Sequence, residues 1–299
     1  IKIISLIILV NFILLAQGFN PSVDIGYPLI TNYPPKEYSA DAQNWAILQD
    51  NRGVIYFGNG QGVLEYDGVE WRLIRVPNDV VRCLAIDEDG KIFVGGINEV
   101  GFLAPDSTGL LKYVSLNKYI SKDKIAIGDV WRIIIHDDGL YFQTFSSLFL
   151  LESNKNKKST FLNRILKNHS VKRWESRTRF NPIHALGNRI FVHERNIGLQ
   201  ELINGKLVML NGGEEFAQDL ICIMLPHTEL KSNQSNSKNK ILIGSLRRGM
   251  FLFDGSKFEK FNNEADNYLI ENRLYYRGAV LSDGSYALGT QIGGIVVID

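Results

Sequence analysis

The chain has 299 residues, of which 45% are hydrophobic, and it can therefore bury a large core. Lys and Arg number 33 against 32 Asp and Glu, which gives a formal net charge of +1. This balance excludes the strong basic field of a nucleic-acid-binding domain and gives no support to polyanion binding.

The N-terminus carries an apolar run at residues 3–16, between Lys2 and the small residue Gly18. Such a run is short for a membrane span and has the length of the apolar part of a secretion signal. We expect residues 1–18 to be a signal peptide, with an uncleaved anchor as the alternative. Both interpretations predict an exported, periplasmic protein.

Residues 19–42 form a segment rich in Pro and turn-forming residues, with one strand-like piece at 27–33. In propellers an N-terminal strand often completes the last blade, so this piece is a candidate latch strand. From residue 43 onward one unit recurs: an apolar run, a polar turn ending in Gly, a second apolar run, Gly, and a third apolar run. Short strands and Gly turns repeated in this way predict an all-β protein, a β-propeller of four-stranded antiparallel blades.

The residue before the third run marks six repeats at a spacing of about 46 residues: Gly62, Gly101, Ser147, Gly198, Gly249 and Gly294. The sensor propeller is therefore expected to span 43–299, and its last repeat ends after the third strand. Either the latch strand closes a six-bladed ring, or the ring has seven blades and is incomplete here. The chain does not begin with Met, which favours a fragment of a larger protein.

Cys83 and Cys222 occupy the same place in the first strands of blades two and five. Equivalent positions in non-adjacent blades are too far apart for a disulfide, so two free buried thiols are expected.

Two motifs mimic functional sites. Residues 212–216, GGEEF, match the signature hairpin of diguanylate cyclases, but they fall in the connection from blade four to blade five and lack a second metal-binding acid upstream. Residues 87–90 resemble the start of a calcium loop without its bidentate Glu, and a hairpin turn explains them. The histidines show no metal-ligand spacing, so we predict no metal, no cofactor and no catalytic residue.

An overlay of the repeats aligns residues at the start of each innermost strand, near the mouth of the central channel: Trp45, Arg82, Trp131, Phe180, Ile221 and Tyr276. Aromatic rings beside Arg suit stacking of a sugar or an aromatic ligand. Packing between blades is the alternative for each of them.

The loops between second and third strands open on the same face. They carry polar residues that predict a rim site for a polar ligand: Asn59, Gln61, Asn98, Glu99, Arg195, Asn196, Arg247, Arg248 and Gln291.

The repeats QNWAILQDNRGVIYFGNGQGVLEYDG (43–68), GKIFVGGINEVGFL (90–103), NRIFVHERNIGLQELINGKL (188–207) and ILIGSLRRGMFLFDG (241–255) resemble those of the two-component regulator propeller family. Phe57, Phe93 and Leu242 stand where that family's pattern has Trp. The resemblance implies the periplasmic sensor region of a transmembrane regulator. Its partners would be downstream signalling domains of the same protein: a triple-tyrosine domain, a membrane helix, and a histidine kinase or helix-turn-helix module.

We therefore expect a non-catalytic propeller that senses an unknown small molecule or oligosaccharide. A second copy of the chain, in a homodimer, is a further expected partner. An exported lyase or glycosidase is one alternative, and it needs paired carboxylates on the rim. Glu99 and Glu194 are the loop acids there, in non-adjacent blades. A scaffold for protein partners is the other alternative.

Overall fold

The computed structural model describes residues 30–120, 126–154, 158–168, 170–227 and 240–298. The expected signal peptide and residues 19–29 lie outside the described residues, and so does the side chain of Tyr276. None of the helices in the described ranges is long and apolar enough to cross a membrane.

The described strands form six antiparallel sheets in chain order, which confirms the β-propeller. Blade one has β1 Asn44–Gln49, β2 Ile55–Asn59, β3 Gly62–Tyr66 and β4 Trp71–Ile74, and blade two has β5 Val81–Ile86, β6 Ile92–Gly96, β7 Glu99–Pro105 and β8 Leu111–Ser115. Blade three has β9 Arg132–His136, β10 Gly139–Gln143, β11 Ser147–Glu152 and β12 Val171–Glu175. Blade four has β13 His184–Leu186, β14 Arg189–Glu194, β15 Gly198–Ile203 and β16 Lys206–Met209.

Blade five has β17 Ile221–His227, β18 Lys240–Ser245, β19 Gly249–Phe253 and β20 Phe258–Lys260. Blade six shows three strands in the described residues, β21 Leu274–Val280, β22 Tyr286–Thr290 and β23 Ile295–Ile298. The short helices are α1 Pro35–Tyr38, α2 Asn117–Ile120, α3 Phe161–Asn168 and α4 Asp266–Glu271, with one 3₁₀ turn at Gly213–Phe216.

Five apolar layers hold the blades together, one between each pair of successive blades. The layer between blades two and three is typical: Phe93 of β6 faces Leu140 and Phe142 of β10 across the interface. Alternation along each strand sends one set of side chains to the preceding blade and the other to the following blade. The innermost strands β1, β5, β9, β13, β17 and β21 consequently line the central channel.

The repeated Gly has a steric cause. Gly62 opens β3 with φ +138°, and a Cβ there would lie 2.4 Å from the carbonyl oxygen of Ile74 in β4. Gly198 opens β15 in the same way, with φ +127° and 2.4 Å to the carbonyl oxygen of Gly213. Neither the backbone angle nor the space accepts a side chain, so these positions fix the turn into the third strand.

The expected latch strand is only partly described. Residues 30–33 form no strand, and Tyr33 packs against Tyr66 and Trp71 of blade one, with ring centroids 5.3 and 5.4 Å apart. This part of the segment therefore covers the outer half of blade one and does not complete blade six.

The outward faces of blades one and six remain open. Ile47 of β1 is 69% exposed, whereas Leu84, its equivalent in β5, is 7% exposed because blade one covers it. On blade six, Ile295 of β23 is 74% exposed. In the described part of the chain, no blade packs on either face.

Both thiols are free and buried, as expected from the overlay. Burial raises the pKa of Cys83 to about 12, and burial also raises that of Cys222 to about 12.

Candidate functional site

Three of the aligned inner-strand residues meet at one end of the central channel. The guanidinium of Arg82 lies 4.1 Å from the ring centroid of Trp45 and 4.6 Å from that of Trp131. The two indoles are nearly perpendicular, with centroids 5.8 Å apart. Blades one, two and three therefore contribute one residue each to a single cation–π group.

The group continues along the rim toward blade four. Phe145, in the loop from β10 to β11, stacks on Trp131 at 5.1 Å, and the guanidinium of Arg179 lies 3.5 Å from the Phe145 ring centroid. We call Trp45, Arg82, Trp131, Phe145 and Arg179 the aromatic stack. Its members come from blades one, two and three and from the connection into blade four.

The aromatic stack is held by the protein at Arg82 and open to solvent at Trp45. Arg82 pairs with Asp129 at 3.5 Å, and its side chain is 14% exposed. Trp45 is 42% exposed and presents an open ring to solvent. The Nε1 of Trp131 and the Nε of Arg82 are buried and have no acceptor within the described residues. A rigid platform with an exposed indole can receive the flat apolar face of a sugar or another ring.

The other aligned residues do not join the stack. Phe180 is fully buried in the layer between blades three and four, and its N–H donates to the carbonyl of Phe145. Ile221 is fully buried between blades four and five. Phe180 precedes the first strand of blade four, which starts only at His184, and its ring therefore lies in the layer between blades and not in the stack. The side chain of Tyr276 lies outside the described residues.

Several predicted rim residues have structural partners instead. The buried Asn59 side chain donates to the carbonyls of Asp41 and Gln43 and accepts from the N–H of Gln61. Asn98 has φ +54°, and its side chain accepts from Gly128 N–H at 2.8 Å. The Asn59 amide is therefore used within the protein, and the side-chain oxygen of Asn98 holds the loop at Gly128.

Arg248 is also a structural residue. Its guanidinium donates to the carbonyl of Glu215 at 3.0 Å and lies 5.1 Å from the ring centroid of Phe216. It thereby fixes the GGEEF segment, whose 3₁₀ turn lies in the connection from β16 to β17 and buries Phe216. The motif is a connecting turn in this fold.

Two predicted rim residues, Arg247 and Gln291, line an open cavity of about 510 Å³ between blades five and six. Arg273 and Tyr275 line it with them, and Arg273 donates to the side-chain oxygen of Gln291 at 3.4 Å. We call this cavity the rim cavity. Arg195 is exposed in the β14–β15 loop and lies outside it.

The two loop acids are both buried. Glu99 accepts from the hydroxyls of Tyr113 and Ser115 at 2.8 and 3.0 Å. Glu194 accepts from the hydroxyl of Ser176 and from a backbone N–H. Both carboxylates are thus held by donors of the protein. The described residues also contain no group of three or more His, Cys, Asp or Glu placed to hold a metal ion.

No protein-family model and no curated protein matches the sequence. Solved structures, in contrast, do match the structure of this chain. The extracellular domain of BT4673 from B. thetaiotaomicron, described as a one-component or hybrid two-component system, aligns at 16% identity and TM-score 0.48, over 87% of this chain and 38% of that domain. This chain thus spans about two fifths of that domain.

Two propeller enzymes align with somewhat higher TM-scores. An inactive variant of virginiamycin B lyase from Staphylococcus aureus, solved with quinupristin, gives TM-score 0.55 at 11% identity, over 86% of this chain and 84% of the lyase. An ancestral GH74 enzyme gives 0.53 at 13% identity, over 88% of this chain and 37% of the enzyme. Identities this low show the fold alone, and the fold is a β-propeller.

Proposed function

We propose that this propeller is the ligand-binding part of an exported sensor and has no chemistry of its own. The observation that carries the proposal is the aromatic stack, because three blades place Trp45, Arg82 and Trp131 in contact at the channel mouth. The resemblance of the repeats to regulator propellers supports the sensing role. The burial of Glu99 and Glu194 supports a site without acid and base catalysis.

The chemistry of the rim favours an oligosaccharide as ligand. The exposed indole of Trp45 suits the apolar face of a pyranose, while Arg247, Arg273 and Gln291 offer hydrogen-bond donors around the rim cavity. Both surfaces belong to the end of the propeller where the second and third strands are joined. A chain of several sugar units would contact both.

Sensing would work by a population shift. A ligand that binds one arrangement of the propeller and its neighbouring domains more tightly favours that arrangement, and the membrane-crossing part passes the change on. The preformed stack favours binding itself, because a rigid platform loses little freedom when the ligand binds.

The test uses intrinsic fluorescence and a panel of neutral and acidic glycans. A glycan that stacks on Trp45 should change the emission and bind with a measurable Kd, and Trp45→Ala should weaken binding about tenfold or more. The matched control is Tyr33→Ala, which removes an aromatic ring of similar exposure, 37% against 42%, on the outer half of blade one and away from both the stack and the rim cavity.

Equal loss of affinity in both variants, or no glycan binding at all, would refute the rim site. Shortened or rearranged glycan after long incubation with the wild-type protein would refute the absence of catalysis.

A further inference from the structure

A second cavity lies between blades two and three, at the end of the propeller opposite the aromatic stack. Strands β5 and β9 begin at the stack and end at this cavity, where they turn into β6 and β10. The cavity measures about 130 Å³, and helix α3 contributes to its wall. Its acidic lining residues are Asp87, Glu88 and Asp137, and its basic ones are His136 and Arg164. We call it the turn cavity.

Asp87 has a carboxylate oxygen that the protein leaves without a partner. The residue is only 8% exposed. Its Oδ1 accepts from the N–H groups of Asp89 and Lys91, at 3.0 and 2.7 Å, and so holds the β5–β6 turn. Its Oδ2 is buried and has no donor among the described residues. A buried acceptor without a donor destabilises a protein, so a ligand that supplies the donor gains affinity there.

The equivalent carboxylate of blade one, that of Asp50, is fully paired. Its Oδ1 holds the β1–β2 turn through two backbone N–H groups in the same way. Its Oδ2 accepts from the guanidinium of Arg52 at 2.7 Å and from the hydroxyl of Tyr56 at 3.3 Å. In blade two, Asp89 and Phe93 occupy the places of these two donors. Blade two therefore keeps the turn but lacks both donors to the second oxygen.

Arg164 brings a guanidinium N–H without an acceptor to the same cavity. Its side chain is 12% exposed, and its Nη2 lies 3.5 Å from a carboxylate oxygen of Glu88. Its Nε is buried and has no acceptor in the described part of the chain. Helix α3 is anchored on the β5–β6 turn, because the N–H of Phe161 donates to Oδ2 of Asp89 at 3.1 Å. The cavity thus brings together an anionic acceptor and a cationic donor that do not bond each other.

We propose that the turn cavity binds a small zwitterion with an ammonium one carbon away from a carboxylate, as in an α-amino acid with a short side chain. The ammonium donates to Oδ2 of Asp87, and the carboxylate accepts from Nε of Arg164. At about 30 Å³ per water molecule, the cavity has room for about four waters, which suits glycine, alanine or serine.

The charges of the lining favour this class over simpler ions. Glu88 and Asp137 add two carboxylates to that of Asp87, and together they disfavour an anion that carries no positive group. An amine without a carboxylate would leave Nε of Arg164 unpaired and would be repelled by its charge. A zwitterion satisfies both atoms. This inference does not depend on the glycan site, which lies at the other end of the propeller.

The test is calorimetry and thermal unfolding with glycine, L-alanine and L-serine at neutral pH and fixed ionic strength. Ethylamine and acetate serve as ligands that carry only one of the two charged groups. At least one of the three amino acids should bind with saturation and raise the Tm. Ethylamine and acetate should bind about tenfold more weakly or worse, because each leaves one buried group unpaired.

Two variants test the binding groups. Asp87→Asn keeps an oxygen that can hold the turn but replaces the charged Oδ2 by an amide NH₂, so it should weaken binding about tenfold or more. Arg164→Lys keeps the positive charge but lacks the Nε–H, and it should weaken binding similarly. The matched control is Asp50→Asn, the same substitution at the equivalent turn of blade one, which should bind as the wild type does.

A second readout needs no variant. In the NMR spectrum of the wild-type protein with an isotope-labelled amino acid, the Cα protons of the ligand should show nuclear Overhauser effects to the ring of Phe161, which lines the cavity.

Four results would overturn the proposal. They are no saturable binding of any of the three amino acids, binding of ethylamine or acetate as tight as theirs, equal affinity of Asp87→Asn and Asp50→Asn, and Overhauser effects only to residues away from the turn cavity.

Discussion

Replacing Arg82 by Met tests whether the aromatic stack is a rigid structural unit. Met keeps most of the apolar stem but removes the charge that lies 4.1 and 4.6 Å from two indole rings. Each cation–π contact contributes about 0.5–1 kcal/mol when exposed and about 2 kcal/mol when desolvated. Because the side chain is 14% exposed, values in the upper half of this range apply. The ion pair with Asp129 adds at most about 1 kcal/mol, so the two contacts and the pair together predict that Arg82→Met costs about 2.5–5 kcal/mol.

The assay is equilibrium unfolding in urea, followed by tryptophan fluorescence and by circular dichroism. Arg75→Met serves as the control. Arg75 is exposed and pairs with Asp79 only at 3.8 Å, so this substitution should cost less than about 0.5 kcal/mol of stability. The double variant Trp45→Ala/Arg82→Met should show a coupling of about 0.5–2 kcal/mol, as expected of residues in direct contact. If Arg82→Met costs no more than Arg75→Met, or if the coupling is zero, the stack does not hold the three blades together and the reasoning fails.

Three further predictions concern the rest of the molecule. Gly62→Ala should strongly destabilise the protein, because φ is +138° and the new Cβ would lie 2.4 Å from a carbonyl oxygen. His136 bonds Asp138 at 2.5 Å, and this bond raises its pKa, so the pair stabilises the fold fully below about pH 6.5 and less as pH rises through the folded value. Asp138→Asn should therefore cost stability at low pH and little at high pH. Burial raises the thiol pKa of Cys83 and Cys222 to about 12, so both should react with a thiol reagent only in denaturant.

The measurements are urea unfolding for the glycine, a series of such curves from pH 5 to pH 9 for the pair, and colorimetric thiol titration for the cysteines. Gly68→Ala is the control for Gly62, because it also has positive φ but open space around its Cβ position. A loss equal to that of Gly68→Ala would show that close approach plays no part. An effect of Asp138→Asn that does not depend on pH would contradict the prediction for the His136–Asp138 pair. Rapid thiol labelling of the native protein would contradict the prediction for the cysteines.

Much of the stack was predictable because it follows the repeat. Trp45, Arg82 and Trp131 hold equivalent places in three consecutive blades, and the ring geometry brings equivalent places to the channel mouth. Phe180 has the same position by count, but blade four starts its first strand late, and the ring enters the layer between blades instead. Counting along a sequence does not detect such a local change of register.

Phe145 and Arg179 were missed for a different reason. Phe145 lies in the loop between the second and third strands of blade three. The same loops of the other blades supplied the predicted polar rim, and Phe145 was not considered because it is apolar. Arg179 lies in a connection without repeat periodicity. The sequence also does not show which polar loop residues are free to bind a ligand. Asn59 and Arg248 differ from such residues only in the hydrogen bonds that they make within the protein.

The open faces of blades one and six bear on how the protein loses its structure. Within the described residues, blades two to five have an apolar layer on each side, whereas blades one and six have one layer each and leave Ile47 and Ile295 exposed. In an array stabilised by nearest-neighbour interfaces, the end units open first and the central ones last. Unfolding should therefore progress from both ends of the arc toward blades three and four, so that the residues around Trp131 keep their order longest.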